Sequence, residues 1–234
     1  MLVGKSFTEF VNEDILNEEK EKRQKKRQVI SHLEDLPHQV GNDGVGHIGE
    51  VLDDLHTTLS GKQKSNFNAP KAKTKVMQKF DGKPSIMFGY HPSNKKFFVS
   101  SKAVNKPAFT PQHIDNYYKD DPDTAEKMKA ALTHLKKVTP KGAIYGGDYL
   151  YGMNDKDETK SGIEFTPNVI TYKVKPGPEH TKIKNSKFGI VVHSKYDGKQ
   201  PSPDVDHTKF KNHQDVHIIN PQVQINPALY TTRR

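Results

Sequence analysis

Two stretches of this 234-residue sequence carry residues that could do chemistry. The first is Val76-Met77-Gln78-Lys79-Phe80-Asp81-Gly82-Lys83-Pro84-Ser85-Ile86-Met87-Phe88-Gly89. Its pattern predicts a short strand over 76–80, a tight turn at Asp81-Gly82 and a second strand with Ile86 and Phe88 on one face. A lysine one residue from such a turn holds an amine where the backbone can approach a ligand closely. Lysine becomes a covalent nucleophile when burial or neighbouring cations lower its pKa, and Lys73, Lys75 and Lys83 are candidates for that neighbourhood. The same four residues, Lys79-Phe80-Asp81-Gly82, also read as an ordinary hairpin beside a solvated lysine, because Lys-x-Asp-Gly is short and common. The second stretch is Ala143-Ile144-Tyr145-Gly146-Gly147-Asp148-Tyr149-Leu150-Tyr151-Gly152, an apolar strand with one acid in its middle. A carboxylate in a half-buried strand is costly unless it is paired, hydrogen-bonded or bound to metal, so Asp148 requires a partner.

The elements that must position these groups follow from periodicity. Phe7, Phe10, Val11, Ile15 and Leu16 open a helix over 6–30 that runs on into a charged, solvated segment. Gly41, Gly44 and Gly46 mark a turn, and Ile48, Val51, Leu52, Leu55 and Leu59 a helix closed by Gly61. A polar link over 62–75 separates this part from the rest, which predicts a helical segment over 1–62 and a main domain over 63–234. Strands are expected at 95–102, ending in Ser101-Lys102, at 143–152, after the turn within 165–174, at 187–196 and, briefly, at 216–219. Residues 123–137 read as a helix capped by Asp123 with Glu126, burying Ala125, Met128, Leu132 and Leu135.

Composition narrows the classes of function. A formal net charge of +9 favours polyanionic partners, nucleic acid or nucleotides among them. With no cysteine in the chain, disulfides, thiolate zinc sites and cysteine nucleophiles are excluded. His207, His213 and His217 lack a tight ligand spacing and read as surface residues rather than a metal site. No apolar run is long enough to span a membrane, and no signal-peptide core is present, so a soluble intracellular protein is expected.

Lys79-Phe80-Asp81-Gly82 resembles the nucleotide-binding motif of the covalent nucleotidyltransferases: ATP-dependent DNA ligases, RNA ligases and mRNA capping enzymes. Three further parts occur in family order: Ser101-Lys102, Gly147-Asp148-Tyr149, and the strand that begins at Phe188. The sets Gly-Asp-Tyr-Leu-Tyr, Phe-Thr-Pro-Asn-Val-Ile-Thr-Tyr and Gly-Ile-Val-Val-His-Ser-Lys-Tyr are also similar to ligase-like proteins of tailed phages, those of cyanobacteria especially. The resemblance implies an α+β fold, an adenylation core of antiparallel sheets with flanking helices. It implies that Lys79 attacks the α-phosphate of ATP or GTP with Mg²⁺ present, and that Asp81 and Gly82 belong to the nucleotide site. Lys102 would hold phosphate, Asp148 ribose or metal, and Phe188 the purine ring. A nucleic-acid end would be the acceptor, in the cytoplasm of a bacterial host. The family's Glu-Gly-x-Val-x-Lys motif is missing after Phe188, and Lys209-Phe210-Lys211 is the only late Lys-x-Lys. A domain incomplete at its C-terminal end is one reading of that departure. The other is a non-catalytic nucleic-acid-binding or virion-associated protein on a degenerate ligase-like core.

Overall fold

The computed structural model describes residues 77–101, 103–196, 201–202, 204–221 and 230–233, with the single positions Gly49, Leu52, Asp53 and His56. The chain divides into two compact units, and every described residue from Lys79 onward belongs to one of them. Of the other unit, Gly49, Leu52, Asp53 and His56 are helical, inside the segment that the apolar spacing of 48–59 marks, and Leu52 is half exposed. The expected helix over 6–30, the turn at 41–46 and the link over 62–75 lie outside the described residues.

The larger unit is a mixed α+β structure. A six-stranded sheet is built from β1 (Ser85–Tyr90), β2 (Phe97–Ser101), β3 (Ile144–Gly152), β7 (Phe188–Tyr196), β8 (Pro201–Ser202) and β9 (Val216–Ile219). Its order is β2-β1-β3-β7, with β8 and β9 both against β7. Every pairing is antiparallel except β7 with β9, so the sheet is mixed where an antiparallel one was expected. A smaller antiparallel sheet has the order β10-β6-β5-β4, from β4 (Asp157–Thr159), β5 (Gly162–Phe165), β6 (Thr171–Val174) and β10 (Tyr230–Arg233).

One face of the large sheet is closed by α1 (Pro111–Tyr117) and α2 (Pro122–Val138). Ala125, Met128, Ala131, Leu135 and Val138 of α2 pack on Ile86, Phe88, Tyr145, Tyr149, Phe188, Ile190 and Val192. Leu132, expected in the buried stripe, is only partly buried, and Ala131 takes its place. The helix begins earlier than its sequence suggested. Pro122 occupies the first helical position, where its missing N–H is harmless, so Asp121 rather than Asp123 is the cap and accepts from Thr124 N at 3.1 Å. Asp123 instead pairs with Lys127 one turn on, at 2.7 Å.

A second core holds Phe80, Leu150, Tyr151, Ile163, Phe165, Tyr172, Val174, Ile183, Val191 and Ile219. It joins the opposite face of β3 and β7 to the small sheet and to α3 (Pro178–Asn185). Its rings form a ladder: Phe80 stacks on Tyr172 at 5.6 Å, Tyr172 on Phe165 at 5.4 Å, and Phe165 meets Tyr151 at 4.8 Å.

Candidate active site

Residues 79–84 do not make the expected hairpin with β1. They extend instead alongside β3, where Lys83 N donates to Tyr149 O and Tyr149 N to Pro84 O, both at 3.0 Å. β1 itself pairs with β2 and β3, so no partner strand position is left for a returning 76–80 segment. Gly82 is therefore needed for closeness rather than for a turn. A Cβ there would lie 2.6 Å from Tyr149 O and 2.7 Å from Asp148 Cβ, inside any allowed contact.

Asp81 fixes the other side of the loop. Its carboxylate accepts from Asn168 Nδ2 at 3.0 Å, from Val169 N at 2.9 Å and from Ile170 N at 3.2 Å. Its own N–H donates to the Tyr172 hydroxyl at 2.6 Å. The Asn168 amide and the Val169 N–H hold the Asp81 carboxyl below its ordinary value, with Lys79 adding a smaller pull. Burial raises the Tyr172 phenol, the hydrogen bond from the Asp81 N–H opposes this, and the charges of Asp81 and Asp148 add to the rise. With Phe80 buried against Tyr172, three consecutive residues anchor the loop, and the fourth, Lys79, is left exposed. Among the described residues the Lys79 amine makes no hydrogen bond or ion pair.

Asp148 sits opposite Ser85 on β1 and Val191 on β7. The partner its position demanded is His193, whose Nε2 lies 3.3 Å from Asp148 Oδ2. A register shift between Gly146 and Gly147 gives β7 one residue more than β3 at this point, and His193 is that residue. Strand alternation sets Asp148 and Gly146 on the face away from α2. Next to His193, the buried Ser194 hydroxyl has no hydrogen-bond partner among the described residues, and a side chain at Gly146 would strike it. Asp148 Oδ1 has no partner among the described residues, and the side chain keeps 22% exposure. A Mg²⁺ ion commonly takes one or two carboxylates plus substrate phosphates, and one carboxylate oxygen is what Asp148 offers. Among the described residues no group of three or more acids and histidines gathers as a ready-made metal cage.

The structure thus sets Gly82 against Asp148 and leaves Lys79 exposed close to the Asp81 charge. It does not bring Phe188 to them. Phe188 is fully buried, 5.9 Å from the His134 ring and 5.4 Å from that of Tyr149, in the core beneath α2. Alternation along β7 puts Phe188, Ile190 and Val192 on the helix side, where no purine can reach them in this structure. Lys102, like Lys73 and Lys75, lies outside the described residues. Ser101 beside it is buried and accepts from the Tyr118 hydroxyl. The charge of Lys83 is felt at Asp121, the cap of α2. Of the three histidines read as surface groups, His217 is buried, with Nδ1 2.6 Å from the Tyr151 hydroxyl and Nε2 3.1 Å from Glu179.

Three participants escaped the sequence reading: Asn168, Tyr172 and His193. His193 left a signal, a polar residue interrupting the run Gly189-Ile190-Val191-Val192. Asn168 and Tyr172 left none, since polar loop residues and strand tyrosines are ordinary.

Residues 28–231 match the model of a family of unknown function, DUF6267, and the chain belongs to that family. No curated protein and no solved structure matches it. Among the described residues no helix is long and apolar enough to cross a membrane.

Proposed function

We propose that the chain is a ligase-type nucleotidyltransferase that forms a lysyl-nucleotide, lysyl-AMP or lysyl-GMP, and passes the nucleotide to a nucleic-acid end. The observation that carries this reading is the loop at Lys79. Asp81 and Phe80 are both tied to Tyr172, Asp81 also to the 168–170 loop, and Gly82 is pressed against β3, while the Lys79 amine has no hydrogen bond or ion pair among the described residues. Structure invested in holding an otherwise idle lysine is what a nucleophile needs. In the proposed step the neutral Lys79 amine attacks the α-phosphorus. An N–P bond forms, the P–O bond to the β-phosphate breaks, pyrophosphate leaves with the electron pair, and the amine's proton goes to water. Mg²⁺ would supply charge neutralisation on the phosphates, with Asp148 contributing one carboxylate or a hydrogen bond to ribose. His193 would hold the Asp148 side chain in one orientation.

The placement of Phe188 favours a second reading, a nucleic-acid-binding protein on a ligase-like core without the covalent step, since the expected purine platform is enclosed. One experiment separates them. Folded protein is incubated with α-labelled ATP or GTP and Mg²⁺ and run on a denaturing gel. A labelled band that disappears in Lys79→Ala supports the transferase and names the base, ATP pointing to a ligase and GTP to a capping-type enzyme. Absence of label with both nucleotides overturns it for this chain and leaves the binding protein or a domain that lacks the late motifs.

A further inference from the structure

Away from Lys79, a cleft of about 530 Å³ opens between α3, the short 3₁₀ turn His207–Lys209 and the segment leading into β9. Its walls include Lys182, Asn185, Lys211, Asn212, His213 and Gln214, and no aspartate or glutamate lines it. None of the residues assembled around Lys79 belongs to it.

The charges near it are arranged in favour of an anion. Lys211 makes no ion pair among the described residues, and its backbone N–H is tied to Val138 O at 2.9 Å, which fixes where the side chain starts. Among the described residues the one ion pair of Lys182 is a long contact to Glu179, 3.8 Å, and the other oxygen of Glu179 lies 3.1 Å from His217 Nε2. Asp215, the acid nearest His213, is already held by Lys137 at 3.0 Å and Lys187 at 3.3 Å. Asn185 and Ser186, at the end of α3, bring a helix C-terminus to the cleft, and such an end would normally repel an anion. Here it is neutralised. The Lys156 ammonium donates to Ile183 O at 2.9 Å, Lys184 O at 3.3 Å and Ser186 O at 2.5 Å. Lys156 thus cancels the carbonyl dipoles and leaves the cleft's own lysines unspent. Three side-chain amides add donors and acceptors of the kind that read sugar and base edges.

We propose that this cleft binds a phosphate ester, its charge met by Lys182 and Lys211 and its polar remainder by Asn185, Asn212 and Gln214. A volume of this size accommodates a nucleotide unit, either free or as part of a strand. The site stands whether or not Lys79 carries out group transfer.

The test uses the full-length chain. Anisotropy of labelled single-stranded DNA and RNA 20-mers, and of a labelled mononucleotide, is followed against salt for wild type, for K182A/K211A and for the control Lys209→Ala. Lys209 pairs with Asp206 outside the cleft lining and reports loss of general charge. The expected result is at least tenfold weaker binding in the double variant alone, at about 0.1 M salt, with unchanged thermal stability. Loss confined to the oligonucleotides, with the salt slope lowered by about 1.4 for two phosphate contacts on a single strand, identifies a strand backbone as the ligand. Loss confined to the mononucleotide identifies a free nucleotide. Equal binding by wild type and the double variant, or an equal loss in Lys209→Ala, overturns the site.

Discussion

The two faces of the large sheet use the same strands for opposite purposes. Tyr149 and Phe188 point to the helix side and are sealed beneath α2. Asp148, next to Tyr149 on β3, and His193, five residues beyond Phe188 on β7, point the other way and keep partial exposure. The sealed face is mainly apolar and aromatic, with Ser101 taken up by the Tyr118 hydroxyl and the His134 ring of α2 laid on Phe188. On the other face an acid, an imidazole and the buried hydroxyl of Ser194 interrupt the apolar pattern. A partly exposed acid paired with an imidazole is what sets the open face apart, and stability alone does not require it, since each such polar group costs free energy to desolvate. The difference separates residues whose replacement should unfold the protein from those whose replacement should silence it.

The sharpest break of the comparison is Lys79→Ala. It should abolish covalent labelling, a loss of more than about a thousandfold, while changing stability by less than about 0.5 kcal/mol in urea titration, as exposed lysines do. Phe188→Ala tests the sealed face. Removing a fully buried ring should cost about 3–5 kcal/mol by the same titration. A purine platform would instead lose nucleotide affinity at unchanged stability, and that outcome would return Phe188 to the site. Gly82→Ala lies at the contact between the two behaviours. Its added methyl must displace Tyr149 O and the Asp148 backbone, so a loss of about 1–3 kcal/mol should accompany the loss of labelling.

Asp81→Ala should be milder, about 1–2 kcal/mol, because the freed Val169 and Ile170 N–H groups are close enough to water to be partly re-solvated. Its pH dependence has a definite sign. The folded carboxyl titrates below its ordinary 3.8, so its stabilising contribution is whole above that value and drains away as pH falls through the lower folded value. The gap between wild type and variant should therefore hold steady from neutrality down to about pH 5 and close below 3.8. A gap that widened in acid would mean that another group carries the loop.

Much of this arrangement was legible from residue order. The strands at 85–90, 97–101, 144–152 and 188–196 follow from aromatic and β-branched content, and the demand of Asp148 for a partner follows from its apolar surroundings. What sequence could not supply was facing. Phe188 lies on a strand whose period is clear, but period does not say which side meets helices and which meets ligand. Turn chemistry misled at Asp81-Gly82, because a glycine chosen for tight packing looks the same as one chosen for a turn. The clamp by Asn168 and Tyr172 was invisible for a different reason. It joins residues far apart in the chain, and no local pattern records which loop will meet which.

That separation has a bearing on how the protein is made. The Asp81 N–H and carboxylate find their partners 87 to 91 residues downstream, in a hairpin that leaves the ribosome long after Lys79 itself. The strand carrying His193 follows later still. A nascent chain would thus display the lysine motif for many seconds with nothing to aim it, at ordinary elongation rates of about 5–20 residues per second. In the proposed reading, reactivity toward nucleotide would switch on only after these downstream segments have emerged, so self-labelling in a ribosome-bound series of increasing length would report the moment at which the Asp81 clamp closes.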